Sequence, residues 1–167
     1  RGGCLCGRAF LSDSAGMNLR PCLILCCSLV LLPTLPGASV PEPNALSPQE
    51  QAAGWISLFD GSTLSGWTPR GTARWDAVDG TISYRLGTDG GYLFTDREFT
   101  DFELRIEFWV DEKVNSGVFL RCPPGEANPA NKSYEVNIFD AHASWPTGSI
   151  NDLGRAARQP PTVGRWN

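Results

Sequence analysis

The chain's 167 residues leave room for one domain of ordinary size, since domains commonly run to about 100–150 residues, and exclude a two-domain enzyme within this span. With 41% hydrophobic and 19% charged residues the composition is that of a folding chain, and 14 basic against 18 acidic residues argue against nucleic acid as a partner. All the tryptophans lie between Trp55 and Trp166, whereas Cys4, Cys6, Cys22, Cys26 and Cys27 crowd the start, so only the second part reads as a folded domain.

The first methionine is Met17, followed by Asn18, Leu19 and Arg20. An apolar stretch from Cys22 to Leu32 is then closed by Pro33, Pro36 and the small residues Gly37, Ala38 and Ser39, the three-part layout of a secretory signal. The expectation is that residues 1–16 are an over-called upstream extension and that 17–39 are a signal peptide cleaved after Ser39. The mature protein would then be secreted or periplasmic. The apolar run falls short of the about 20 residues that a spanning helix needs, so no membrane partner is expected after cleavage. Cleavage leaves Cys122 as the one cysteine, which removes a disulfide framework and puts the whole burden of folding on the core.

Residues 40–53 read as a linker and a short capped helix. Ser47-Pro48-Gln49-Glu50 has an N-cap serine, proline at the first helical position and glutamate three residues after the cap, and Gly54 stops the helix within two turns. Strand and turn signals follow. Trp55 to Phe59 is a short apolar segment, with Asp60-Gly61 and Ser65-Gly66 as turns. Trp75-Asp76-Ala77-Val78 and Thr81-Ile82-Ser83-Tyr84 flank Asp79-Gly80, a strong hairpin signal. The glycine-rich turn of residues 87–91 leads into Tyr92-Leu93-Phe94-Thr95 without the Lys-Ser/Thr of a phosphate loop.

From Phe102 to Val110, Phe, Leu, Ile, Phe and Val alternate with Glu103, Arg105, Glu107 and Trp109, which predicts one strand with one buried face. A turn at Asn115-Ser116-Gly117, a strand over 118–121, a break at Cys122-Pro123-Pro124-Gly125 and a strand over 134–140 complete the pattern. Many short strands and almost no helix predict an all-β sandwich.

Alternate residues of a strand share a face, so Glu103, Arg105, Glu107 and Trp109 line one side, and neighbouring strands would add Arg121, Glu135 and Asn137. Indole stacks on the apolar side of a sugar ring, charged groups bind its hydroxyls, and paired carboxylates serve glycosidic acid–base chemistry. The competing reading is a solvated face of cross-strand ion pairs. His142 stands just after the last of these strands, near Asp140, where a base, a donor or a metal ligand would fit. No serine elbow, His-Glu-x-x-His or Cys-His pair occurs.

From Gly54 onward the order of short motifs resembles the 3-keto-disaccharide hydrolase domain family. The pieces are Gly54 to Gly61, Leu64 to Trp67, Trp75 with Val78 to Ile82, Asp101 to Phe108, Asn115 to Arg121, Tyr134 to Asp140 and Thr147 to Ile150. The resemblance implies a concanavalin A-like jelly roll over residues 54–167, incomplete at its C-terminus because the family pattern continues past Asn167. It also implies bacterial secretion and action on a small-molecule carbohydrate whose C3 hydroxyl is already a ketone. The implied catalytic residues are Glu135, as base or metal ligand, with Asp140 and His142 as lesser candidates. Arg121 would stabilise enolate charge, and Asn137, Glu107, Trp109 and Arg105 would contact substrate. The sequence leaves the cofactor unknown, a divalent metal being compatible with these carboxylates. Where the family usually has glutamine this chain has Asn137, one methylene shorter. The alternative function is a non-catalytic carbohydrate-binding module of lectin or laminin G-like fold, and a third reading is an adhesion domain with an exposed apolar patch.

Overall fold

The computed structural model describes residues 4–5, 10–13, 44–85, 87–112, 114–126, 128–157 and 162–167. The expected signal peptide, 17–39, lies outside the described residues. In chain order the elements are β1 (Cys4–Leu5), β2 (Phe10–Asp13), α1 (Pro48–Ala52), β3 (Trp55–Ser57), β4 (Trp67–Gly71), β5 (Arg74–Val78), β6 (Thr81–Arg85), β7 (Gly91–Thr95), β8 (Phe102–Arg105), β9 (Ser116–Leu120) and β10 (Tyr134–Ile138), with a single 3-10 turn at Pro129–Asn131. The fold is all-β, as the strand-and-turn pattern predicts, with one short helix among the described residues.

Local signals are realised as read. The Glu50 amide donates to Ser47 Oγ at 3.2 Å and Glu50 Oε2 accepts from the Ser47 amide at 2.8 Å, closing the capping box. Strands β5 and β6 pair antiparallel with Val78 opposite Thr81, and the turn residues Asp79 and Gly80 have φ of 50° and 74°. Two successive left-handed residues are what a two-residue hairpin turn requires. Across this hairpin Trp75 stands opposite Tyr84 with ring centroids 5.3 Å apart.

The described ladders are all antiparallel and fall into four small sheets, ordered β1-β6-β5, β10-β9, β3-β2-β8 and β4-β7. Tyr84, Val110, Val114 and Ile138 form the buried core, with Trp75, Phe108 and Val118 packed against it. One expectation meets a different outcome here. The single strand expected over 102–110 is a ladder only over β8; beyond it, Trp109 and Val110 make isolated bridges to Trp166 and Val163. Its alternation survives the interruption, with Glu103, Arg105 and Glu107 exposed and Phe102, Leu104 and Ile106 partly covered. Within residues 1–16, the span expected to be an over-called upstream extension, the described segments pair with other strands. Residues 10–13 pair on both sides, Leu11 opposite Ile56 of β3 and Leu104 of β8, and residues 4–5 pair with Ser83 and Ile82 of β6. The physical reason is backbone satisfaction: β3 and β8 do not pair with one another, and β2 supplies the donors and acceptors that both need.

Candidate functional site

A cleft of about 850 Å³, within the range of about 300–1,000 Å³ typical of ligand sites, opens beside β9 and β7. Tyr92, Phe94, Phe119, Arg121, Glu126 and Glu135 are among the residues lining it. Tyr92 and Phe119 meet edge to face at 5.6 Å, and the Arg70 guanidinium lies 4.5 Å above the Phe94 ring while donating to the Glu126 carbonyl at 2.8 Å. One wall is therefore aromatic with a cation behind it. These residues escape notice in the sequence because they come from strands that touch only through tertiary folding. The one available signal is the aromatic alternation Tyr92-Leu93-Phe94 after a glycine-rich turn.

Glu135 projects from β10 opposite Phe119 of β9. Its Oε2 accepts from Asn151 Nδ2 at 2.6 Å. Burial pushes the carboxyl above its ordinary value of 4.5, against the opposing pull of the Asn151 hydrogen bond and the field of His142. A carboxylate made more basic by desolvation in a cleft is a candidate general base. Arg121, at the end of β9 with φ of 60°, also lines the cleft and pairs with Asp101 at 3.1 Å, both side chains largely in water.

The other expected site residues have different positions. Asn137 is 1% exposed, and its Nδ2 donates to the Trp145 carbonyl. This amide holds a loop and is not among the residues that line the cleft, so the structure gives the shorter side chain a structural task. Asp140 is likewise committed: Oδ1 accepts from the hydroxyls of Thr147 and Thr162, both at 2.6 Å, and Oδ2 from the Thr162 amide at 2.8 Å. Burial alone would raise its pKa, but the hydrogen bonds from Thr147, Thr162 and Val163 prevail and hold the carboxyl below 3.8. Such a group is a loop anchor and a poor base. His142 Nδ1 accepts from the amides of Ser144 at 3.2 Å and Trp145 at 2.9 Å, so this ring nitrogen is committed to its own loop.

The polar face of the 102–110 segment does not join this group. Leu104 and Ile106 line the cleft, so strand alternation turns Glu103, Arg105 and Glu107 away from it. Arg105 pairs with Glu103 at 3.0 Å, with side chains 56% and 58% exposed, and stacks 4.0 Å above the Trp55 ring. Trp109 bridges to Trp166. Arg105 and Glu107 thus lie on a solvated outer face, away from Glu135, whereas Trp109 is partly buried. Among the described residues no three His, Cys, Asp or Glu side chains gather to hold a metal ion.

Sequence reasoning also missed Asn151, just past the Thr147–Ile150 motif. It is brought to Glu135 by a strand-like return in which Val136 bridges Ile150 and the Asn137 amide donates to the Ser149 carbonyl at 2.8 Å.

These features define an all-β domain with a partly aromatic cleft around one desolvated carboxylate and an arginine. The chain belongs to the family described as the 3-keto-alpha-glucoside-1,2-lyase-like domain, which it matches over residues 54–167. Over 89 residues it is 35% identical to the 3-keto-disaccharide hydrolase of Bacteroides thetaiotaomicron, covering 47% of this chain and 31% of that protein's length. No solved structure matches the chain.

Proposed function

We propose that this domain is part of a secreted or periplasmic enzyme that cleaves the glycosidic bond of sugars carrying a ketone at C3, with Glu135 as the general base. The observation that carries this reading is the Glu135 carboxyl, desolvated in the cleft and oriented by Asn151. The family's description and the name of the Bacteroides relative support the substrate class. A C3 carbonyl acidifies the hydrogen on C2. Glu135 removes that proton, the electron pair moves into the enolate, and the C1–O bond breaks as the double bond shifts to C1–C2. The leaving oxygen takes a proton, and water then adds across C1 and C2, hydroxyl to C1 and hydrogen to C2, so the sum is hydrolysis. Arg121 on the cleft wall stabilises the enolate charge. The aromatic wall of Tyr92 and Phe119 suits the apolar side of a pyranose ring.

Turnover of a 3-keto-glucoside and of the unoxidised glucoside by the intact protein, with and without chelator, tests the proposal. Cleavage of the ketone substrate alone is the expected result. Sugar binding without cleavage of either substrate would establish a carbohydrate-binding module instead.

A further inference from the structure

Glu135 is gripped from two directions. The Asn151 amide N–H donates to the Glu135 carbonyl at 3.0 Å while its side-chain Nδ2 donates to Oε2 at 2.6 Å, so one residue fixes both the main chain and the carboxylate. On the other side lies Gly117. A Cβ built there would come within 2.5 Å of Glu135 Oε1 and 2.8 Å of its Cγ, so the space over β9 that the carboxylate occupies exists only because residue 117 has no side chain. The segment carrying Asn151 is itself fixed, by the Gly148 amide to the Asn137 carbonyl and the Ile150 amide to the Gly154 carbonyl, each at 2.8 Å.

We infer that Asn151 and Gly117 are the positioning residues of Glu135, the asparagine holding one carboxylate oxygen by hydrogen bond and the glycine leaving room for the other, so that Oε1 stays free to take a proton. The inference rests on the reading of Glu135 as the base. Among the described residues Oε1 accepts no hydrogen bond, which leaves it as the basic oxygen. Asn151 Oδ1 is buried and has no partner among the described residues. When Oε1 takes the proton, Oε2 stays an acceptor for the Asn151 Nδ2 hydrogen bond, so the same grip holds the carboxyl in both protonation states.

The test compares Asn151→Leu, Gly117→Ala and Glu135→Gln in the intact protein. It reads the pH profile of kcat/KM on a 3-keto-glucoside, and the protonation of Glu135 directly from its side-chain carboxyl carbon by NMR. Losing the Asn151 donor favours the protonated acid, so Asn151→Leu should move the acid limb and the NMR midpoint upward and lower kcat by about tenfold or more. Gly117→Ala, which displaces the carboxylate, should lower kcat while leaving KM within about twofold. If Asn151→Leu lowers thermal stability but leaves both the acid limb and the NMR midpoint in place, the positioning role is overturned. If Glu135→Gln retains full turnover, the base assignment fails, while the NMR midpoint still decides whether Asn151 controls that carboxyl.

Discussion

Asp140 holds Thr162 at two points, its Oδ2 accepting the threonine amide at 2.8 Å and its Oδ1 the hydroxyl at 2.6 Å. Since Thr147 donates to the same Oδ1, one carboxylate ties the end of the chain and the 141–149 loop to the strand that carries Glu135.

That arrangement predicts a stability defect with a defined pH signature. Asp140→Asn keeps the shape but removes the charge and one acceptor, and should cost about 1–3 kcal/mol by chemical denaturation at neutral pH. The folded-state pKa lies below the ordinary 3.8, so the contribution is present above that value and is lost as pH falls through the folded pKa. Wild type and variant should therefore converge in acid. A gap that stays constant from pH 7 down to pH 2 would remove Asp140's ionisation from the account.

Glu135 should behave in the opposite sense. Its folded pKa lies above 4.5, so the folded state favours the protonated form, and its contribution declines as pH rises through the folded value. Glu135→Gln should lower turnover of the ketone substrate by about 10²–10⁴-fold, the usual contribution of a general base, yet leave the protein no less stable at pH 7 than wild type. A large loss of stability with the lost activity would mark Glu135 as structural.

How much of this was legible follows the range of the interactions. The capping box at Ser47 and Glu50 and the hairpin around Asp79-Gly80 were readable because each is decided within four residues. The alternation from Phe102 to Val110 correctly separated two faces, but could not say which one borders the cleft. It is the apolar one, with Leu104 and Ile106, because Glu135 arrives from a different sheet. Asn151 and the burial of Asn137 were illegible for the same reason: both depend on the return of residues 148–151 along β10, which no local pattern announces.

The outer face gives a contrasting prediction. Glu103→Gln removes an ion pair whose side chains are more than half exposed, and should change stability by no more than about 0.5 kcal/mol and leave turnover unaltered. Arg105→Ala should cost more, about 0.5–1 kcal/mol, because it also loses the cation stacked on Trp55. Tenfold slower turnover in either variant would return this face to the substrate site.

The pairing of β2 makes the first 39 residues testable as part of the fold. Among the described residues, strands β3 and β8 are bridged only through Phe10–Asp13, and Cys4–Leu5 adds to the edge of β6. Cleavage after Ser39, as the export-signal reading expects, would take both segments away and leave two strands with unpaired donors and acceptors facing one gap. Open edges of this kind recruit other strands. A chain beginning at Val40 should therefore self-associate with rising concentration in sedimentation experiments and be cut faster by protease than the 167-residue chain. A synthetic peptide spanning residues 8–15 should restore resistance to cleavage by refilling the gap. If the shortened chain stays monomeric and equally resistant, the gap closes on itself and β2 is dispensable; if it associates and the peptide has no effect, Phe10–Asp13 is not the strand that the gap selects.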